Sequence, residues 1–321
     1  MDLPKDLIVN LESLLSKINL QKLSLSSQKI STKYREGKQG TAPYLTTEEE
    51  RLAYLAARLP ATYAANCAVL KEVVLRQPDF SPVSLLDIGA GPGTATWAAM
   101  QTFMQLKKFT LFEKDLGLIS LGKRLMEGNS QLLASSEWQQ GDLEKEPHFT
   151  PHDLVILSYS LGEIPSQFWP FLLMQIWQNT NKILVIIEPG TPLGYERILK
   201  MRAELLKLGA QMIAPCPHNQ KCPLLPGDWC HFSARLTRSF HHRQAKNASL
   251  GYEDENFSYL IMGKTPQLNP GGRILRSPEK HSGHVRLRLC TPEGIEEKTI
   301  SRKTKEKYAQ ARKAVRGDLL N

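Results

Sequence analysis

The chain has 321 residues, 41% hydrophobic and 23% charged, a balance that fits a folded globular protein and excludes a disordered one. Its longest apolar run, Ile183 to Ile187, is far too short to cross a bilayer, and the N-terminal Met-Asp-Leu-Pro-Lys-Asp-Leu has no basic segment leading into an apolar one. The expectation is a cytoplasmic monomer with no membrane partner, and a net charge of +9 points to a polyanionic one.

Residues 1–75 read as a helical N-terminal region. Leu11, Leu14, Leu15 and Ile18 fall at helical spacing, and the polar stretch from Ser24 to Thr47 interrupts the pattern. Thr46-Thr47-Glu48-Glu49-Glu50 is a helix start, a hydroxyl cap followed by acids in the first turn. That helix is predicted to run through Leu52, Leu55, Ala56 and Leu59 to Pro60, with a separate one from Ala61 to Leu75.

An alternating region follows over residues 76–265. Strands are predicted at Val83–Ile88, Phe109–Glu113, Asp153–Tyr159 and Ile183–Glu188, and helices at Thr94–Leu106, Gly117–Met126 and Phe168–Asn179. Continuous apolar strands separated by helices are what a parallel sheet covered on both faces requires. Residues 211–235 are rich in Cys, Pro and His and read as an irregular insertion, after which Phe257 to Met262 returns as a late strand. The remainder, 266–321, is a basic C-terminal region with short strands at His284–Cys290 and near Lys298–Ile300 and a helix from Thr304 to Arg316. From Arg273 to Arg316 there are thirteen Lys/Arg against five Asp/Glu, so the positive charge is concentrated where a nucleic-acid footprint would be. A solvated basic face is the plainer reading of the same charges.

The loop Asp87-Ile88-Gly89-Ala90-Gly91-Pro92-Gly93 leaves the first strand at the mouth of the predicted sheet, where α/β folds bind ligands. Glycines let the backbone approach a ligand, and the following helix points its positive end at it. A dinucleotide fingerprint wants G-x-G-x-x-G, but Thr94 stands at the third position after Gly91 and the last glycine comes early, at Gly93. The form instead resembles the first motif of class I methyltransferases, whose loop wraps the methionine and ribose of S-adenosyl-L-methionine. On that reading Glu113, at the end of the second strand, accepts the ribose hydroxyls. Asp142, after the third strand, contacts the adenine, and Asp87 orients the amino group. The expected fold is therefore α/β, a Rossmann-like class I methyltransferase sheet.

The loop after the fourth strand, Ser158-Tyr159-Ser160-Leu161-Gly162-Glu163-Ile164-Pro165, has neither the Pro-Pro clamp of amino-methyltransferases nor a Pro-Cys nucleophile. Pro215-Cys216 has the right letters but follows the fifth strand. Glu163 is a candidate base or a helix cap, and no residue is identifiable as catalytic.

Three thiols, Cys216, Cys222 and Cys230, lie within fifteen residues, and Cys290 ends a strand in the basic region. Clustered cysteines in a reducing compartment point to a metal rather than to disulfides. Four thiolates suit a [4Fe-4S] cluster or zinc, and His218 and His231 keep a mixed Cys/His zinc site open. Cys67, on an alanine-rich helix, reads as core packing.

Several segments together resemble the Rsm22 family of methyltransferase-like small-ribosomal-subunit proteins. They are Tyr34-Arg35, the run from Tyr54 through Pro60 to Tyr63, the Asp87–Gly93 loop, Glu188-Pro189-Gly190-Thr191-Pro192, the Cys216–Phe232 segment, Ser282-Gly283-His284 and Cys290-Thr291-Pro292-Glu293-Gly294. The resemblance implies binding to rRNA of the small ribosomal subunit and a [4Fe-4S] cluster on Cys216, Cys222, Cys230 and Cys290, with zinc as the alternative. The expected function is then an enzyme, an S-adenosyl-L-methionine-dependent rRNA methyltransferase, and the alternative is a non-catalytic assembly factor that retains the cofactor pocket. A small-molecule methyltransferase fits the C-terminal charge less well. In either ribosomal reading Arg286, Arg288, Arg302, Lys303, Lys305 and Lys307 are the phosphate contacts.

Overall fold

In the computed structural model, which describes residues 2–36, 44–266 and 271–320, the N-terminal region is three helices, α1 (Lys5–Leu15), α2 (Leu20–Glu36) and α3 (Glu48–Arg76). Two of these differ from the sequence expectation. The polar stretch after Ser24 is helical as far as Glu36, because Leu23, Ser27 and Ile30 form a buried stripe at helical spacing. A serine in that stripe hid it from a hydrophobic count; residues 37–43, the rest of the expected break, lie outside the described residues. Nor does the third helix end at Pro60. It continues through the proline to Arg76, with Leu55, Leu59, Val69, Leu70 and Val73 buried along its length. Proline removes one backbone bond, and burial of that apolar face outweighs the loss.

The sheet region continues with β1 (Ser84–Ile88), α4 (Thr94–Thr102), β2 (Lys108–Glu113), α5 (Leu116–Met126), α6 (Ser130–Ser135), β3 (Ser136–Gln140) and β4 (His152–Ser158). After α7 (Trp169–Gln178) and β5 (Thr180–Pro189) come α8 (Pro192–Lys207), β6 (Gln211–Ala214), β7 (Phe232–Thr237), α9 (Phe240–Lys246) and β8 (Tyr252–Gly263). The strand order is β3-β2-β1-β4-β5-β8-β6, parallel from β3 to β5, with β8 antiparallel to β5. This is the Rossmann-like arrangement of class I methyltransferases. Side chains alternate between two cores: Leu85, Leu154, Ile156 and Val185 face the layer of α1 to α5, while Leu86, Val155, Leu157 and Leu184 face α7 and α8.

Both β6 and β7 pair with β8, at its C-terminal and N-terminal ends respectively. The cysteine-rich segment 215–231 therefore bridges two strands that hold the same neighbour. The expected irregular insertion is thus narrower than 211–235, since its two ends belong to the sheet.

The basic region forms a second sheet of β9 (Gly272–Ile274), β10 (Glu279–Lys280), β11 (His284–Thr291), β12 (Gly294–Ser301) and β13 (Leu319–Leu320), with α10 (Lys305–Lys313) packed on it. Ile274, Val285, Leu287, Leu289, Ile300 and Ala311 make its own small core. Among the described residues no helix is long and apolar enough to cross a membrane.

Candidate functional site

The chain turns sharply after β1 because the amides of Gly89 and Ala90 both donate to the Phe112 carbonyl, at 2.8 and 3.0 Å. Each glycine in the loop has a different reason to be there. Gly89 (φ +64°) lies so close to the loop after β4 that a Cβ would sit 2.5 Å from Ser160 Oγ. Gly93 (φ +83°) begins α4 against Met126 and Leu111, with a Cβ 2.9 Å from Met126 Cε. Gly91 (φ +56°) faces open space, with nothing within 4 Å of a Cβ.

That space is a cavity of about 530 Å³ at the C-terminal edge of the parallel strands, lined by Gly89, Gly91, Glu113 and Asp142. Its volume is that of a small-molecule site. Glu113 is held by three amides: Oε2 accepts from Gly91 at 2.8 Å, and Oε1 from Lys114 and Asp115, both at 2.8 Å. Burial pushes its pKa up, and those three amides pull the other way. Asp142 receives the Lys114 ammonium at 2.7 Å and the Glu144 amide at 3.1 Å. Burial raises the Asp142 pKa, but Lys114 and the Glu144 amide outweigh it and leave the carboxyl below its usual range.

Two of the residues expected to bind cofactor are not brought to the cavity wall. Gly93 packs behind it, as described. Asp87 is 1% exposed, and its Oδ2 accepts from Thr96 N at 3.1 Å and Thr96 Oγ1 at 2.8 Å, fastening α4 to the end of β1. Burial raises its pKa to about 7 despite those two bonds.

The sequence reading missed the wall contributed by the helical region: Tyr44, Thr46, Arg51 and Tyr54. Arg51 is fixed there by a forked pair to Asp115, with Nε 2.8 Å from Oδ1 and Nη2 2.9 Å from Oδ2. The only sequence signal was that Tyr54 opened one of the family-like segments. Ser158 at the end of β4 and Tyr159, Ser160 and Glu163 of the loop after it line the same cavity. Tyr159 adopts φ +59°, and its hydroxyl donates to Glu255 Oε1 at 3.1 Å. Behind the loop, Glu188 is 1% exposed; it accepts the Leu161 amide at 3.1 Å and Arg197 Nη1 at 2.9 Å. Burial raises the Glu188 pKa to about 7 against those contacts.

A second cavity lies between α8, β8 and the second sheet, and Cys216, Cys222, Cys230 and Cys290 all line it. Its free space is about 30 Å³, room for a bare ion or a water-sized body. Tyr195 Oη stands 3.0 Å from Cys222 Sγ, and His218 Nε2 3.6 Å from Cys290 Sγ. Burial raises the pKa of Cys216, Cys230 and Cys290, Cys290 to about 12, and the neighbouring cysteines add to each shift. Two buried arginines supply positive charge: Arg202, bonded to the His218 and Gln220 carbonyls, and Arg273, bonded to the Pro215 carbonyl at 3.0 Å and to Glu72 at 3.0 Å. Among the described residues no three Cys, His, Asp or Glu side chains converge on a single ion position. His231 lies outside this cavity, against the Arg316 guanidinium at 2.8 and 3.0 Å. Cys67 packs in the main core.

The six basic residues expected to meet RNA divide into two groups. Arg288 is already paired, 3.3 Å from Asp228 and 3.4 Å from Glu297, and Arg286 stands in register with Glu279 across the β10–β11 ladder. Arg302, Lys303, Lys305 and Lys307 are exposed on the β12–α10 turn and α10, with no ion pair among the described residues.

The family described as mitochondrial small ribosomal subunit Rsm22 matches residues 48–321. The mitochondrial ribosome assembly protein METTL17 of Homo sapiens is 29% identical over 296 residues, covering 85% of this chain and 63% of that protein. The mitochondrial ribosome assembly protein RSM22 of Saccharomyces cerevisiae is 25% identical over 282 residues, covering 54% of this chain and 45% of its own length. The chain thus spans about half the length of the curated relatives it matches, from 43% to 63%. Among solved structures, the magnesium protoporphyrin IX methyltransferase of Synechocystis PCC 6803 aligns with a TM-score of 0.42 at 10% identity, over 70% of this chain and 90% of that one. The chain belongs to the Rsm22 family.

Proposed function

We propose that this chain is a small-ribosomal-subunit assembly factor that keeps an S-adenosyl-L-methionine pocket, carries a metal centre on four cysteines and binds rRNA through its basic region. We divide it accordingly into a helical region (1–75), a methyltransferase-like domain (76–265) and a basic region (266–321) that completes the metal site. The observation that carries the reading is the joint between the two sheets. Cys290 of the basic region lines the same cavity as Cys216, Cys222 and Cys230 of the methyltransferase-like domain. Arg273 and the Asp228 pairs of Arg276 and Arg288 bind the same two parts.

The residues lining the first cavity fit the cofactor, and the four thiols are the donors a metal group would use. Gly91 leaves its side open, Glu113 is oriented for the ribose hydroxyls by its three amides, and Asp142 stands at the adenine end. Four thiols among apolar walls and two buried cations suit a [4Fe-4S] cluster, in which each thiolate takes its own iron and the donors need not converge. Zinc is the alternative; it suits the small free volume, but the thiols would have to draw together to hold it. Either would tie segment 215–231 to β11 of the second sheet and neutralise thiolates that repel one another. To hold the larger group, segment 215–231 would have to open beyond the roughly 30 Å³ now free.

The test is co-sedimentation of the chain with small-subunit precursors from cells lacking the gene. Recovery of mature subunits by the wild-type chain and by a Glu113→Ala variant alike would establish assembly without need of the cofactor. Failure of the wild-type chain to associate with any precursor would sink the reading.

Methyl transfer to rRNA is the second reading, favoured by Glu163 lining the same cavity as Gly91. S-adenosyl-L-methionine supplies an electrophilic methyl group, so the chain need only align a nucleophile and accept its proton. A methyl mark on small-subunit rRNA that disappears with the Glu113→Ala chain would move the conclusion to this reading.

A further inference from the structure

The family-like segment Ser282-Gly283-His284 contributes nothing to the cofactor cavity or to the cysteine cavity, yet the structure gives it a defined shape. It forms the turn into β11, closed by the His281 amide donating to the His284 carbonyl at 3.0 Å. The turn brings the two imidazoles face to face, ring centroids 4.6 Å apart and planes 18° from parallel. Half of the His281 side chain is exposed (49%). Gly283 between them has nothing within 4 Å of a Cβ, so the tip is open to close approach.

Three contacts fix this turn to the β12–α10 turn and to α10. The Arg302 amide donates to the Gly283 carbonyl at 3.1 Å. From α10, Tyr308 Oη donates to the Ser282 carbonyl at 3.4 Å, and Arg312 Nη1 to the His281 carbonyl at 3.2 Å. The stacked rings are thereby held on the same side of the second sheet as the turn that carries Arg302 and Lys303 and the helix that carries Lys305 and Lys307, four exposed cations with no ion pair among the described residues. The nearby acids are Glu279, 4.0 Å from His281 Nε2, and Glu306 on α10. They are outnumbered.

A preformed flat stack beside unpaired cations has the chemistry of a single-stranded nucleic-acid site: exposed bases stack on the rings while the cations track the phosphates. A duplex offers phosphates but no free base face. We propose that the His281–His284 turn is a base-stacking platform that selects unpaired nucleotides, which rests on the rRNA-binding reading above and specifies what part of the RNA is bound. Arg302 and Lys303 then contact the phosphates flanking the stacked base.

The experiment is fluorescence anisotropy of the full chain with a labelled ten-nucleotide single-stranded RNA and with a duplex of the same length, at several salt concentrations. The expected result is tighter binding of the single strand, and about a tenfold loss for it in the double variant His281→Ala/His284→Ala with an unchanged salt slope. Lys303→Ala/Lys305→Ala should flatten that slope. His284→Phe, which keeps a flat ring, should retain most of the affinity, separating loss of stacking from loss of fold. Unchanged affinity in the double histidine variant, or equal binding of single strand and duplex, overturns the platform while leaving rRNA binding in place. Binding of neither RNA by the wild-type chain overturns the rRNA reading itself, and the platform with it.

Discussion

The Glu113 carboxylate reaches back from the end of β2 and accepts the Gly91 amide at 2.8 Å, so that one side chain both shapes the glycine loop and borders the space the loop encloses. The two roles are separable. Glu113→Gln keeps one acceptor oxygen where the carboxylate has two, and Glu113→Ala keeps none. Calorimetry with S-adenosyl-L-homocysteine should show about tenfold weaker binding for the glutamine variant and a larger loss for alanine. Equal affinity for all three proteins would mean that the ribose is held elsewhere.

The glycines of the loop should respond differently to alanine. Gly93→Ala puts a methyl group against Met126 at a left-handed backbone position, and about 2–3 kcal/mol of stability should go. Gly91→Ala meets no atom and should cost only about 1 kcal/mol from its backbone angle. Its methyl group nonetheless faces the cavity, so cofactor binding should fall more than stability does. Denaturant melts beside calorimetry read both. A Gly93→Ala protein as stable as the wild type would contradict the packing described for α4.

Glu50 fastens α2 to the start of α3. It accepts from the Thr46 amide at 2.7 Å and Thr46 Oγ1 at 2.9 Å, with Lys33 at 3.1 Å and Lys29 at 3.2 Å. Burial alone would raise its pKa, but the Thr46 and lysine contacts prevail and hold it at about 2. A depressed carboxylate pKa stabilises the fold fully above the unfolded value, near 4.3, and that stabilisation is lost as pH falls toward 2. Glu50→Gln should therefore be about 2–3 kcal/mol less stable than the wild type at pH 7, with the gap narrowing by pH 3. Urea unfolding at the two pH values checks this; a gap that widens on acidification would reverse the sign.

The cysteine cavity yields a compositional prediction. Chain purified without oxygen should contain iron and acid-labile sulfide in equal amounts, and both should be lost in Cys216→Ser and Cys290→Ser but kept in Cys67→Ser. Zinc in place of iron would select the alternative ion. A wild-type chain free of both would leave the four thiols as a buried cluster with no metal role.

Much of this organisation is legible in the residues themselves. The strands of the parallel sheet are continuous apolar runs because both faces are covered, and the observed β1, β2, β4 and β5 fall where those runs are. The glycine loop and Glu113 were readable because a tight turn at a strand end leaves few residue types able to serve. Harder to see was whatever depends on a distant partner. α2 hides its buried stripe behind Ser27, and α3 passes through Pro60 because the surrounding helices bury its apolar face.

The sequence by itself therefore determined the sheet, its glycine loop and the basic character of the tail, since these follow from local patterns of polarity and backbone freedom. Tertiary structure decided which side chains share a space. It turned Asp87 inward to hold α4, brought Arg51 and Tyr54 across from the helical region, and placed Cys290 beside three thiols more than fifty residues away. The physical reason is the same in each case. Burial and hydrogen-bond satisfaction depend on every element packed around a residue, and local spacing carries no record of those neighbours.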